Sequence, residues 1–249
     1  MPERLIHALI GAAAGLLSAL FGVGGGTVIV PALVARGWDV KRAAATSLAA
    51  IGITASVGAL LYGISGTVRW RDAALIGLPA VGGVLIGIVL QKRISGPRLQ
   101  LGFALLMALI AIRLITDTGN PTAHGGPELA IVLGIAGGIL SGLFGVGGGI
   151  IFVPALTLAL GLTQIVAQAT SLAAMVPVVA MGAYRQNRAG LVDWRNGILL
   201  GTAGTVGIYV GKEIATSLTN TTLRIAFGCF LLLSAAQLAQ RARRSTRTG

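Results

Sequence analysis

A long stretch without any charge dominates the second half of the chain. Between Leu129 and Tyr184 there is no Asp, Glu, Lys or Arg. Because a helix needs about 20 apolar residues to cross the hydrocarbon core of a bilayer, this stretch must enter the membrane more than once. The whole chain is 55% hydrophobic and 10% charged, whereas a soluble domain carries about 25% charged residues. The sequence therefore predicts an all-α polytopic membrane protein.

Basic residues outnumber acidic ones by 19 to 7, a formal net charge of +12. In a soluble protein this excess would suggest nucleic acid, but here the basic residues lie between and beside apolar spans, which is typical of topological anchors. We therefore expect no nucleic-acid partner, and a basic tail at 241–249 close to lipid headgroups. Cys229 is the only cysteine, so an intramolecular disulfide and a cysteine-based metal site are excluded.

A glycine-rich segment occurs twice in the chain. The sequence GVGGG of residues 22–26 recurs at residues 145–149. Around it, 14 of 19 positions are identical between residues 15–33 and 138–156. A glycine break that is duplicated inside membrane stretches is typical of transporter binding sites, where helix dipoles and free backbone groups point at a ligand near the bilayer midplane.

The duplication extends past the glycines, which indicates two homologous repeats. The sequence ATSLA of residues 45–49 recurs at residues 169–173. A polar stretch rich in Gly, Pro, Asn and Thr separates the two copies and reads as a loop. The predicted organisation is a first membrane repeat 1–116, a linker loop 117–128, a second membrane repeat 129–240 and a basic cytoplasmic tail 241–249.

Each repeat contains four apolar blocks. In both repeats the first block is too long for one plain crossing, too short for two full ones, and broken by glycines. The blocks are about 5–35, 43–64, 73–91 and 97–116 in the first repeat and about 129–160, 165–184, 196–212 and 219–239 in the second.

Two topologies compete, and the distribution of Lys and Arg separates them. If the first block crosses once, the halves are parallel and the 19 basic residues divide 11 to 8 between the two faces. If it dips in and returns, the halves are inverted and the division is 14 to 5. The positive-inside rule favours the uneven division. We therefore predict two inverted repeats, each a glycine-broken re-entrant helical hairpin plus three transmembrane helices, with both termini cytoplasmic.

The glycine breaks predict an anion site made of backbone. Consecutive glycines let the chain adopt positive φ and approach a ligand closely. If a helix resumes after each break, its first amide groups have no partner within the helix and lie at the positive end of its dipole. Such a helix start binds sulfate, phosphate or carboxylate without a charged side chain. Helix packing is the alternative role for the glycines, and a nucleotide P-loop is excluded because no Gly-Lys-Ser/Thr follows.

Polar side chains beside the breaks complete the candidate site. Hydroxyls of the two Thr-Ser pairs would begin the next helix of each repeat, where they could cap it, bond carbonyls or contact the ligand. Pro31 and Pro154 would either fix where the short helix ends or produce a local kink. Ser18 and Ser141 are weaker candidates. The predicted substrate-binding residues are Gly22, Gly24, Gly25, Gly26, Thr27, Thr46, Ser47, Gly145, Gly147, Gly148, Gly149, Gln168, Thr170 and Ser171.

These motifs resemble the sulfite exporter TauE/SafE family of four-plus-four-segment membrane transporters. The residues that carry the resemblance are GLLSALFGVGGG at 15–26 with Pro31, its copy ending at Gly149 with Pro154, and the two ATSLA elements. The resemblance covers both halves. It implies transport of sulfite, sulfoacetate, other organosulfonates or related carboxylates, with the glycine breaks and Thr-Ser pairs as substrate contacts.

We therefore expect a secondary carrier for a small anion in a bacterial inner membrane, working by alternating access. A passive anion channel and a carrier for a non-sulfur carboxylate are the alternatives. No acidic residue lies mid-span, which disfavours coupling through a carboxylate. With His7 and His124 as the only histidines, no catalytic dyad is evident, so an enzyme, a metal and a cofactor are not expected. The partners are the small anion and the lipid bilayer, and a homodimer is left open.

Overall fold

The computed structural model describes residues 3–91, 96–116 and 126–245, and this part of the chain forms ten helices without a strand. The helices are α1 Glu3–Phe21, α2 Gly26–Ala35, α3 Val40–Ile64, α4 Trp70–Gln91, α5 Gly96–Thr116, α6 Gly126–Phe144, α7 Gly149–Leu160, α8 Gln164–Arg188, α9 Trp194–Ser217 and α10 Asn220–Ser245.

All eight predicted apolar blocks lie on these helices, which confirms the all-helical membrane fold. In the described ranges, α1, α3, α4, α6 and α8 are long and apolar enough to cross a membrane, and α2 is a shorter apolar helix. The predicted linker differs at its end, because α6 already begins at Gly126, while 117–125 lie outside the described residues. The predicted tail also differs, because α10 continues to Ser245, and 246–249 again lie outside them.

In both repeats the short helix folds back onto the helix before it. A guanidinium nitrogen of Arg36, just after α2, lies 3.8 Å from a carboxylate oxygen of Glu3 at the start of α1. The ring of Trp38 packs edge-on against His7 of α1, with 6.1 Å between the ring centroids. In the second repeat, Gly137 of α6 lies against the ring of Phe152 in α7. The chain thus leaves α1 and returns alongside it.

The first helix of each repeat packs on a helix of the other repeat. Helix α1 lies on α9, where Gly11 contacts the backbone of Leu200 and Gly15 contacts the backbone of Gly204. A Cβ atom at either glycine would overlap the carbonyl oxygen opposite, so the two backbones touch. Small residues permit this approach, and close packing of this kind replaces hydrophobic driving force inside a bilayer. Because the residue numbers of successive contacts increase along both helices, α1 and α9 run parallel.

The equivalent interface joins α6 to α4. Gly134 contacts Ile76, and about two helical turns later Gly142 contacts the backbone carbonyl of Val84. The contact numbers again rise together, so α4 and α6 are parallel. By the same criterion α3 runs parallel to α9, and α4 runs parallel to α8.

Helices α3 and α8 form the buried centre of the molecule and run in opposite directions. Leu48 near the start of α3 packs at Gly182 near the end of α8, and Gly58 near the end of α3 packs at Leu172. It follows that α1, α3 and α9 share one direction, whereas α4, α6 and α8 share the reverse direction. Helices that correspond in the two repeats are therefore oppositely oriented in these three pairs.

Candidate functional site

The two glycine breaks have the same backbone conformation. Each break has three glycines in the left-handed region of backbone conformation, where residues other than glycine are disfavoured. The φ values are 67°, 75° and 76° at Gly22, Gly24 and Gly25, and 69°, 82° and 85° at Gly145, Gly147 and Gly148. The final glycine of each run starts the short helix that follows, so sequence identity between the repeats extends to local structure.

The breaks touch each other at the centre of the molecule. A Cβ atom on Gly26 would lie 2.8 Å from the carbonyl oxygen of Gly145 and 2.8 Å from Cα of Val146. In the reciprocal contact, a Cβ atom on Gly149 would lie 2.7 Å from Cα of Val23. The structure thus brings together the two glycine runs that the sequence predicts as one site.

Amide groups in both breaks are left without an acceptor. The first hydrogen bonds of α2 run from the amides of Val28 and Ile29 to the carbonyl of Gly25, each 3.0 Å long, and α7 begins with the equivalent pair. The amides of residues 23–27 and 146–150 make no hydrogen bond of ordinary geometry to the described part of the chain. Free donors at the starts of two helices are the arrangement that binds oxyanions.

Each serine of the Thr-Ser pairs holds the break of the opposite repeat. The Oγ of Ser171 donates to the carbonyl oxygen of Gly22 at 2.8 Å. The Oγ of Ser47 donates to the carbonyl oxygen of Gly145, and it also lies 2.9 Å from the carbonyl oxygen of Ala44. Both serines are fully buried. In this conformation their hydroxyls therefore bind protein, and contact with a substrate stays a prediction.

The threonines of these pairs also bind across the repeats. The amide of Asp193, before α9, donates to Oγ1 of Thr46 at 3.0 Å. The amide of Arg69, before α4, donates to Oγ1 of Thr170 at 3.1 Å. The two Thr-Ser pairs thus make four matched hydrogen bonds between the halves.

The expectation that these pairs begin a helix, and so could cap it, is wrong. Helix α3 begins at Val40, and its cap is Asp39, whose carboxylate accepts from the amides of Lys41 at 3.0 Å and Arg42 at 3.1 Å. Helix α8 begins after Thr163. Both helices therefore start before their Thr-Ser pairs, α3 with an aspartate cap and α8 after Thr163 without a side-chain cap bond.

The two prolines lie inside their short helices and do not end them. Helix α2 continues four residues past Pro31 to Ala35, and α7 continues from Pro154 to Leu160. Each proline is the sixth residue of its helix, where its missing amide removes one hydrogen bond to the carbonyl four residues earlier, yet both helices continue beyond it. The interpretation that these prolines fix the helix ends is therefore wrong.

Several polar side chains around the breaks are buried without a partner. Both polar atoms of the Gln168 side chain lack a hydrogen bond among the described residues, and the residue is fully buried against the backbone of Gly22. The hydroxyls of Thr27, Ser18 and Ser141 are likewise unpartnered. A buried polar group without a hydrogen bond costs free energy, so these atoms indicate a site that is incomplete without water or a ligand.

Sequence reasoning missed Gln164, whose side chain is 3% exposed and also has no partner for either polar atom. The signal was its spacing, since Gln164 and Gln168 are four residues apart and share one face of a helix. Both glutamines belong to the second repeat only. The equivalent positions in the first repeat hold Val40 and Ala44.

Two apolar side chains fill the space between the breaks. A Cβ atom on Gly24 or on Gly147 would overlap the terminal methyl of Met175. From the other side, Cδ1 of Ile51 lies 2.8 Å from the Cβ position of Gly26. Met175 and Ile51 occupy equivalent positions of α8 and α3. The space between the breaks is therefore closed, and a ligand could reach the amides only if these side chains or their helices moved.

A cavity of about 10 Å³ adjoins the second break. The residues that line it include Ser141, Val146 and Gly148. A volume of this order holds about one water molecule, which is too little for an anion with three oxygen atoms.

Asp193, in the loop before α9, is a carboxylate whose pKa is shifted by its surroundings. It lies at the end of the molecule that holds the Glu3–Arg36 ion pair. Burial by itself raises the pKa of Asp193. Hydrogen bonds from the amide and the side chain of Asn196, together with the charge of Arg42, lower the pKa by more than burial raises it, so the net pKa lies below its ordinary value. The amide of Asn196 is 3.0 Å from one oxygen of Asp193, and its side-chain nitrogen is 2.9 Å from the other. Asp193 is therefore a charged N-cap of α9.

The family model for the sulfite exporter TauE/SafE matches residues 1–114 and 130–249. The chain belongs to the TauE/SafE family. A probable membrane transporter protein of Xylella fastidiosa is 30% identical to this TauE/SafE protein over 238 residues, which cover 90% of the chain and 88% of the relative. The probable membrane transporter protein YunE of Bacillus subtilis is 27% identical over 263 aligned positions, covering 94% of the chain and 96% of the relative. The predicted family resemblance is confirmed, and the protein is a membrane transporter of this family.

Proposed function

We propose that this TauE/SafE protein is a secondary transporter of small anions, with sulfite, sulfoacetate and related organosulfonates as the first candidates. The anion is held between the two glycine breaks by backbone amides, and it crosses by alternating access. The observation that carries the proposal is the contact between two breaks whose amides, at 23–27 and 146–150, have no acceptor in the described chain.

The two repeats are inverted with respect to each other and form re-entrant hairpins. Supporting this, α1 and α6 are oppositely directed, as are α3 and α8, and the end of α2 returns beside the start of α1 through Arg36 and Glu3. The end of the molecule that holds this ion pair also holds Lys41, Arg42 and Arg195. By the positive-inside rule it faces the cytoplasm of a bacterial inner membrane, together with both termini.

Neutral donors suit a carrier that must release its cargo on the opposite side. Neither block that contains a break, 5–35 or 129–160, has a Lys or Arg. Backbone amides at helix starts attract an oxyanion without the deep electrostatic trap that a buried cation would form. Transport sites need binding strong enough to admit the ion and weak enough to release it.

Alternating access requires a symmetric contact that opens on one side at a time. The hydrogen bond from Ser171 to Gly22 and that from Ser47 to Gly145 lie on opposite sides of the central pair Ile51 and Met175 along the helix axes. Loosening one while the other is kept exposes the breaks to one face only. The closed centre seen here is then the occluded intermediate of the cycle.

Reconstituted liposomes test the proposal. We expect saturable uptake of radiolabelled sulfite or sulfoacetate, accelerated by unlabelled anion trapped inside, because counterflow is the property of a carrier. Uptake that is rapid, linear in concentration and without counterflow would indicate a channel. Uptake of a simple dicarboxylate in preference to sulfoacetate would move the cargo to non-sulfur carboxylates. If none of these anions moves, an anion carrier is ruled out for them.

A further inference from the structure

The buried face of α8 carries a row of polar and soft side chains that leads to the meeting point of the breaks. Gln164, Gln168, Ser171 and Met175 are spaced by four, three and four residues, so they lie on one face of the helix. All four are buried. At a rise of about 1.5 Å per residue, the row covers about 16 Å from the start of α8 to the centre. We call these four residues the α8 row.

The α8 row has no counterpart in the first repeat. The equivalent positions of α3 hold Val40, Ala44, Ser47 and Ile51, so only the serine is shared. The two glutamines therefore break the symmetry on one side of the centre, the side where α8 begins. That side is opposite to the Glu3–Arg36 end, because α8 runs antiparallel to α3 and α3 starts beside that end.

Both glutamines are in a state that packing alone does not explain. Their exposures are 3% for Gln164 and 0% for Gln168, and none of their four amide atoms has a hydrogen-bond partner among the described residues. A pair of buried amides with nothing to bind is costly, whereas apolar residues fill the matching positions of α3 without that cost. Ser18, one turn before Gly22, adds a third unpartnered polar side chain near the first break.

We propose that the α8 row is the outer-side path of the anion, and that Gln164 and Gln168 are its hydrogen-bonding residues when the carrier is open to the outside. This rests on the proposed function. Each side-chain NH₂ group offers two donors, which suits an anion with several oxygen atoms, and no fixed charge holds it on the way. On the cytoplasmic side the path follows apolar positions of α3, so the outer and cytoplasmic parts of the path differ in their polar contacts.

Accessibility of single cysteines tests the path without relying on transport. In a Cys229→Ser background, Gln164→Cys and Gln168→Cys are treated from the outer face with a membrane-impermeant thiol reagent. Ser65→Cys, in the exposed loop after α3, is the positive control for that face, and Ala44→Cys is the buried position matched to Gln168. We expect both glutamine positions to react, with rates reduced several-fold by saturating sulfite or sulfoacetate. We expect Ala44→Cys to stay unreactive from outside.

The outcomes separate this inference from the proposed function. If neither glutamine position reacts from outside while wild-type liposomes take up the anion, the path is overturned and the carrier stands. If both react but wild-type liposomes move none of the tested anions, the path stands and the cargo is wrong. If Ala44→Cys reacts from outside as fast as Gln168→Cys, the one-sided path is overturned.

A transport measurement distinguishes a binding role of Gln168 from a purely structural one, because only a binding role changes KM on one side of the membrane. We expect Gln168→Leu to raise KM for outside anion about tenfold, the size of one lost hydrogen bond to a charged group, while efflux from inside changes much less. Gln168→Asn, which keeps an amide, should recover part of the affinity. Equal losses in both directions with a lowered Tm would assign Gln168 to packing and overturn the inference.

Discussion

Ser171 donates a hydrogen bond to the carbonyl oxygen of Gly22 at 2.8 Å, so a serine of the second repeat holds the start of the glycine break of the first. In the equivalent bond, Ser47 of the first repeat donates to the carbonyl oxygen of Gly145 in the break of the second repeat. Each break is thus oriented by the other half of the molecule. The conformation of each break therefore depends on contacts with the opposite repeat.

Ser171→Ala should lower stability by about 1 kcal/mol, because it leaves the buried carbonyl of Gly22 without its donor. The matched control is Ser56→Ala, since the exposed Ser56 hydroxyl bonds only Gly52 O within its own helix. Thermal unfolding in detergent measures both. Equal Tm values for the two variants would show that the bond to Gly22 contributes nothing to folding.

Gly24→Ala should abolish uptake. The added methyl would overlap the end of the Met175 side chain, at the point where the breaks meet. Gly37→Ala is the matched control, because Gly37 also has positive φ, at 88°, but lies in an exposed turn with nothing within 4 Å of its Cβ position. Both variants carry a left-handed strain of about 1–2 kcal/mol.

Only Gly24→Ala should therefore lose transport. The two variants share the backbone strain, and Gly24→Ala loses additional stability through the overlap with Met175. Adding Met175→Ala to Gly24→Ala should recover part of the stability, because it removes the overlap with Met175 while the Cβ position stays 2.8 Å from Cγ2 of Ile51. A Gly24→Ala protein that transports as well as Gly37→Ala would contradict the anion site. Gly25 is a poorer choice for this test, because its Cβ position lies 2.8 Å from the backbone oxygen of Ala14, and a larger residue would disrupt the hairpin itself.

Residues 5 and 35 should be labelled from the same side of the membrane. Leu5 and Ala35 are exposed, and the Glu3–Arg36 ion pair places them at one end. In a Cys229→Ser background, Leu5→Cys and Ala35→Cys are treated with an impermeant reagent in intact cells and in inverted vesicles. Ser65→Cys should give the reverse pattern. Labelling of 5 and 35 from opposite sides would exclude the re-entrant hairpin and, with it, the inverted topology.

The stability of the α9 start should depend on acid through Asp193. Because the pKa of this carboxyl is lowered in the folded protein, its contribution is fully present above the unfolded value of about 3.9 and is lost as the pH falls through the folded value. Asp193→Asn keeps a cap oxygen but has no charge to titrate. Tm is measured for both proteins between neutral pH and about pH 3.

We expect wild type to be the more stable protein at neutral pH and to lose that advantage below about pH 4. The size of the difference should be about 1 kcal/mol or less, as for a helix cap. A constant difference over the whole range would mean that the carboxylate charge does not contribute.

Much of the candidate site was accessible from sequence because it is local. Three glycines in a row predicted positive φ, and Gly24 and Gly147 have it. Duplication predicted two such breaks, and the structure brings them into contact. The helix starts were predicted less well, since hydropathy marks where a chain becomes apolar, whereas Asp39 caps α3 several residues before Thr46 and Ser47.

The positions of the side chains between the repeats were not accessible in this way. Nothing in the local pattern of α8 says that Met175 fills the gap between Gly24 and Gly147, or that Thr170 accepts from the amide of Arg69. Both contacts join residues that are far apart in the chain and belong to different repeats or different helices. They form only when the helices pack together, as in the backbone contact of Gly15 with Gly204.

Composition, duplication and glycine spacing are properties of short segments, so they were enough to predict a helical membrane protein with two glycine breaks, and comparison with known proteins agrees on the family. Which donors stay free and which are consumed depends on long-range packing. Ser47 and Ser171 were candidates for the ligand and instead bind the opposite break, while Gln164 was overlooked and is left without a partner. A hydroxyl or amide binds whatever the fold places within about 3 Å of it, and that distance is a property of the assembled helices.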